Sequence, residues 1–146
     1  MASNSTATKP ISAKIFLDTN VLVYAYSGRE PVKQARAVDI GVGAERWIST
    51  QVLIEFVNVS HRKLKTAWPD IQTALIELAD SHRIAQTTPA TIAQATRLAH
   101  RYQLAWFDSL IVAAALDCGC ETLYSEDFSA GQRFEEQLVV VNPFKS

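Results

Sequence analysis

Three carboxylates end or interrupt apolar stretches, where an acid is costly unless it has work to do, and a fourth stands just past a candidate strand. Asp18 closes the run Ile15-Phe16-Leu17, and Glu55 lies between Ile54 and Phe56, with Val52 and Val59 about a turn away on either side. Asp108 stands between Trp106-Phe107 and Leu110-Ile111-Val112, and Asp127 comes just after Tyr124-Ser125. The four are tens of residues apart, so only the fold can gather them. Once gathered, two carboxylates about 5 Å apart repel by roughly 3 kcal/mol at an effective dielectric near 20. Such a cluster must take up protons or be neutralised. A divalent cation neutralises it: Mg²⁺ prefers oxygen ligands, keeps several waters and is shared between a few carboxylates and substrate phosphates. The chemistry this allows is metal-assisted hydrolysis of a phosphodiester, with Lewis-acid help to the nucleophile and the leaving oxygen.

The elements that must position these acids are legible as alternating strands and helices. Lys14–Leu17 predicts a first strand ending at Asp18, and in open parallel sheets ligands bind at the carboxyl ends of the strands. Pro31 opens a helix running to Val38, and the Gly41–Gly43 segment precedes a short strand at Trp47-Ile48. Thr50 is the expected N-cap of a helix carrying Val52, Phe56 and Val59. Pro69 starts another, with Ile71, Ala74, Leu75 and Leu78 on one face. A third strand is expected near Ile84–Thr87. Thr88-Pro89 opens a helix whose stripe is Ile92, Ala95, Ala99 and Tyr102. An apolar helix from Asp108 to Cys118 stops at Gly119, and Thr122–Ser125 and Leu138–Val141 supply the last strands. The alternation favours a parallel sheet with helices on both faces.

The 146 residues suit one domain, with 48% hydrophobic and 20% charged residues, which excludes wholesale disorder. The domain is expected over 13–146, after a Ser/Thr/Ala-rich flexible lead-in at 1–12. Two cysteines, Cys118 and Cys120, are too few for a disulfide framework and read as structural thiols of a cytoplasmic protein. There is no apolar run long enough for a membrane span and no secretory signal, so no membrane partner is expected. A formal net charge of −1 argues against binding nucleic acid through bulk electrostatics and requires a local patch. The densest basic stretch follows the Glu55 helix, with Arg62, Lys63 and Lys65 as candidates for an RNA backbone, and Trp106 as the candidate for base stacking.

The blocks Asp18-Thr19-Asn20-Val21-Leu22, Ile48-Ser49-Thr50-Gln51-Val52-Leu53-Ile54-Glu55-Phe56, Trp106-Phe107-Asp108-Ser109-Leu110-Ile111-Val112-Ala113, Tyr124-Ser125-Glu126-Asp127-Phe128 and Val140-Val141-Asn142-Pro143-Phe144 resemble, in order, those of a PIN domain. More narrowly they are similar to the VapC toxin ribonucleases of bacterial toxin–antitoxin pairs. The resemblance spans Ile15 to Phe144. It implies a three-layer α/β/α sandwich with a parallel central sheet, and an endoribonuclease that uses Mg²⁺ or Mn²⁺. It also implies an RNA substrate, a homodimer and a cognate antitoxin. Position by position it places the catalytic and metal-binding acids at Asp18, Glu55, Asp108 and Asp127, and the supporting polar residues at Asn20 and Ser125. Many relatives have a hydroxyl residue where this chain has Ala105.

Plainer readings stand beside these. Asp18 and Asp108 could cap helices, Glu55 could pair with a buried base, and Glu126 is expected to be a solvated neighbour of Asp127. Asn20 stands where a haloacid-dehalogenase-like D-x-D motif needs its second acid, which disfavours that phosphatase chemistry. Two alternatives remain: a metal-independent ribonuclease using His61, His82 or His100 as acid and base, and a PIN-like binding module without turnover.

Overall fold

The central strand of the computed structural model, which describes residues 13–145, is β1 (Lys14–Leu17). Ile15, Phe16 and Leu17 are all buried although successive side chains point to opposite faces, so both faces of the sheet are covered. On one side β1 pairs in parallel with β2 (Glu45–Ser49), and β2 with β3 (Arg83–Ala85). On the other it pairs in parallel with β4 (Thr122–Tyr124), and β4 with β6 (Leu138–Val141). The order is β3-β2-β1-β4-β6-β5.

The outermost strand, β5 (Arg133–Phe134), is the departure from an all-parallel sheet: it runs antiparallel to β6. It escapes sequence patterning because it has two residues and because its turn to β6 uses Glu135 and Glu136 at φ of 51° and 55°, with no glycine to mark it. Tyr102 holds this turn, its hydroxyl donating to the Glu135 carboxylate at 2.6 Å and accepting the Glu135 N–H at 2.9 Å.

Six helices link the strands: α1 (Thr19–Tyr26), α2 (Pro31–Asp39), α3 (Thr50–Arg62), α4 (Trp68–Ser81), α5 (Pro89–Tyr102) and α6 (Trp106–Asp117). The cap of α3 is Ser49, not Thr50: its Oγ accepts the Val52 N–H at 3.2 Å, while the Thr50 hydroxyl donates to the Ala85 carbonyl. The inward stripe of α5 is Thr91, Ala95 and Leu98, and Ile92 is 43% exposed. The capping box between Thr88 and Thr91, together with a bond from the Thr91 hydroxyl to Asp117, turns Thr91 inward and rotates Ile92 out. Helix α6 is buried from Ser109 to Ala115 and opens at Trp106, so Asp108 lies within its first turn and does not cap it. It ends on Gly119 at φ +75°. Gly41 stands at φ +79°, a conformation that favours glycine, and a Cβ there would lie 2.5 Å from Ile15 Cδ1 and force that side chain to shift. The expected lead-in at 1–12 lies outside the described residues.

The topology fixes where a ligand can enter. From β1 the chain winds outward through β2 and β3, then returns to the other side of β1 as β4, runs out to the edge strand β5 and turns back as β6 between β4 and β5. The reversal falls between β1 and β4, and a crevice opens there beyond their carboxyl ends. Asp18 is the first residue past β1, and Ser125 the first past β4.

Candidate active site

Asp18 is where the sheet hands over to helix α1. Its N–H extends the ladder to the Tyr124 carbonyl at 3.0 Å, and its extended backbone makes it the N-cap of α1. The side chain is 6% exposed and saturated with donors: Oδ1 accepts the Thr19 N–H at 2.7 Å, and Oδ2 accepts the Ser125 hydroxyl at 2.8 Å and Asn20 Nδ2 at 3.4 Å. Burial pushes its pKa up to about 6; the Ser125 and Thr19 hydrogen bonds oppose this, and the charges of Asp127 and Glu55 add to it. Capping and a ligand role are thus compatible in one residue.

Asn20 and Ser125 weld the two strand ends together. Asn20 Nδ2 donates to Asp127 Oδ2 at 3.0 Å and lies 3.3 Å from Ser125 Oγ, while Asn20 Oδ1 accepts the Glu126 N–H at 3.3 Å. Ser125 Oγ in turn accepts the Asp127 N–H at 3.0 Å. Asp18, Asn20, Ser125 and Asp127 therefore form one hydrogen-bonded unit.

Glu55 and Asp108 join this unit through charge. Burial raises the pKa of Glu55, a hydrogen bond from Gln51 lowers it, and the charges of Asp108 and Asp127 raise it again. Asp108 is raised by burial and then by Asp127. The Asp127 carboxylate is thus felt by the other three acids. Among the described residues no three His, Cys, Asp or Glu side chains are drawn closely enough together to cage a single ion. Oxygen-only donors, with one or two carboxylates at a time and room for water, fit the habit of Mg²⁺ and not that of Zn²⁺ or Ca²⁺.

The crevice is a cavity of about 370 Å³ bordered by Asn20, Glu126 and Asp127, by the α3 stripe Glu55, Val59 and Lys63, and by Arg29. Lys63 also borders an adjoining hollow with Asn58, Val59 and Arg62. Of the residues expected to hold RNA, Lys63 and Arg62 thus flank the crevice. Lys65 and Trp106 line neither hollow; Trp106 is 41% exposed at the start of α6. No histidine lines the crevice: His61 stacks on Trp68 at 4.0 Å, and His82 borders a separate cavity, where burial lowers its pKa.

Three contributors escaped the sequence reading. Gln51, 9% exposed, sits one turn before Glu55 and donates through Nε2 to Glu55 Oε1 at 2.8 Å and to the Phe107 carbonyl at 3.2 Å. Its i, i+4 spacing to Glu55 was the available signal. Glu126 is not solvated: it accepts from the Tyr24 hydroxyl and from Lys33 Nζ, the latter at 3.0 Å. Lys33 also lies over the rings of Tyr24 and Phe144. Arg29 follows the end of α1 with no motif around it.

Comparison with known proteins follows the same outline. The sequence matches the family model of the PIN domain over residues 15–132. No curated protein matches it significantly. Among solved structures, it is similar to a toxin–antitoxin complex from Klebsiella pneumoniae, with 24% identity and a TM-score of 0.66, over 92% of this chain and 100% of that one. It is similar to VapC20 of Mycobacterium tuberculosis, a sarcin–ricin loop cleaving toxin, at 18% identity and TM-score 0.65, over 77% and 89%. It also resembles VapBC2 from Rickettsia felis bound to a promoter DNA fragment, at 20% identity and TM-score 0.64, over 88% and 99%.

Proposed function

The chain belongs to the PIN-domain family, and from that membership and the disposition of its acids we propose that it is a Mg²⁺- or Mn²⁺-dependent endoribonuclease, the toxin of a toxin–antitoxin pair. The observation that carries this reading is the bonded unit at the β1/β4 crevice, where Asp18 and Asp127 are tied together by Asn20 and Ser125 while Glu55 and Asp108 add charge from α3 and α6. Similarity to a sarcin–ricin loop cleaving toxin and to toxin–antitoxin complexes supports the RNA substrate and the antitoxin partner. The homodimer and a cytoplasmic site of action belong to the same reading. No helix among the described residues is long and apolar enough to cross a membrane.

Asp18 and Asp127 would hold the ion, with Glu55 and Asp108 completing the acidic wall, and the bound ion supplies Lewis-acid stabilisation of the phosphodiester and of an attacking water. The remaining work falls to the chain itself. Ser125 and Thr19 fix both oxygens of Asp18, so its lone pairs are aimed before substrate arrives. Asn20 holds Asp127 at the distance set by the two strands. Gln51 keeps Glu55 on the crevice side of α3.

The test is RNA cleavage by the purified protein with and without divalent metal, paired with mapping of new RNA 5′ ends in cells that express it. Wild type is expected to cut with Mg²⁺ or Mn²⁺ and to stop after chelation, and Asp18→Asn to lose about 100-fold or more. Cleavage that survives chelation would favour the histidines. An Asp18→Asn protein with the full cellular effect would favour a binding module.

A further inference from the structure

The crevice holds both signs of charge. Its lining includes the acids Glu55, Glu126 and Asp127 together with Arg29, just past the end of α1, and Lys63, two turns beyond Glu55 at the end of α3. Among the described residues neither cation forms an ion pair, although carboxylates border the same cavity. The nearby Lys33, by contrast, is consumed by Glu126 at 3.0 Å. Cations are favoured at helix C-termini, which accounts for the sign of the charge at each position. It does not account for two helix ends delivering unpaired cations into one cavity. Had they served to neutralise the acids, they would lie against them.

We propose that Arg29 and Lys63 form a phosphate subsite that grips the RNA strand one linkage away from the bond being cut, with Arg62 continuing the track along the adjoining hollow. This rests on the ribonuclease reading and adds to it a requirement on the substrate: a charged phosphate beyond the scissile one. A chain with a net charge of −1 has no bulk attraction for RNA, so this pair supplies the attraction locally. Arg contributes a planar fork and Lys a point charge, and both suit non-bridging phosphate oxygens.

The experiment uses the full chain and a single-stranded oligoribonucleotide of the cleaved sequence, with one phosphate at a time replaced by a neutral methylphosphonate. With wild type, neutralising the linkage next to the cut is expected to raise KM about tenfold with little change in kcat. With Arg29→Gln/Lys63→Gln, the same replacement is expected to make little further difference. Equal losses in both proteins would overturn the subsite. A second arm does not need turnover. In the Asp18→Asn background, the double variant should bind unmodified oligonucleotide more weakly, and its salt dependence should be shallower by about 1.4 in log–log slope, two contacts at about 0.7 each for single strands. An unchanged slope overturns the proposal, even if the wild type cleaves RNA. A variant that keeps its RNA affinity but loses affinity for polyglutamate would reassign the pair to an acidic protein. Failure of the parent reading looks different: wild type would then cut no RNA with any divalent metal.

Discussion

At the scale of single residues, Asp18 carries a tension between stability and function. Its pKa stands near 6 in the folded protein against an ordinary 3.8, so the native state binds its proton more tightly than the unfolded chain does. Stability from this group is therefore fullest below about pH 4 and is lost as pH rises toward 6. The difference corresponds to up to about 3 kcal/mol at neutral pH. In metal-free buffer, Asp18→Asn should gain in Tm relative to wild type as pH rises from 4 to 7, on top of a pH-independent cost for turning an amide N–H₂ toward donors. A gap that stays constant with pH would remove the buried charge as its cause. Asp18, Glu55 and Asp108 stand out in the sequence because each ends or breaks an apolar run, whereas Asp127 is told from its neighbour Glu126 only by the resemblance to the PIN domain. The partners of Glu126 do not stand out. Tyr24 and Lys33 reach it from α1 and α2, and nothing in local spacing announces a contact across about 100 positions.

At the scale of elements, the chain's punctuation was mostly explicit. Proline and threonine opened α5, glycine closed α6, and β6 fell on its expected residues. Helix α1 escaped altogether, because Thr19–Tyr26 is apolar almost throughout and shows no helical stripe, while the cap of α3 was a one-residue ambiguity between adjacent groups able to do the same job. Ser49 and Thr50 both carry a hydroxyl, and only the end of β2 decides which one faces the open N–H groups of α3. The assignment makes a prediction. Ser49→Ala should cost about 1 kcal/mol, or roughly 3 °C in Tm, and Thr50→Ala distinctly less. The reverse order in thermal melts would return the cap to Thr50. The antiparallel β5 lay beyond such reading, since its turn depends on Tyr102 some thirty residues earlier.

At the scale of the whole molecule, the fold brings Glu55 and Asp127 to one crevice, with Asp18 bonded into the same strand ends, and leaves these charges mutually unfavourable, a penalty that the cation of the proposed function would relieve. A ligand that binds only the folded state stabilises it by about 2.7 kcal/mol at a hundred times its Kd. Saturating Mg²⁺ or Mn²⁺ should therefore raise the Tm of wild type by about 5–10 °C. The rise should be clearly smaller for Asp108→Asn. Equal rises, measured by calorimetry over the same metal range, would remove Asp108 from a shared centre.

The bond from Ser125 to Asp18 joins residues 107 positions apart, across neighbouring strands. It closes only after the chain has been made as far as Ser125, about six-sevenths of its length, and β4 has been added beside the first strand. A nascent chain still threading through the ribosome, or a product truncated before Ser125, has Asp18 without its clamp and without Asp127. If the proposed activity is right, late assembly of the site is a built-in delay, in which most of the chain must be made before it can harm the RNA around it.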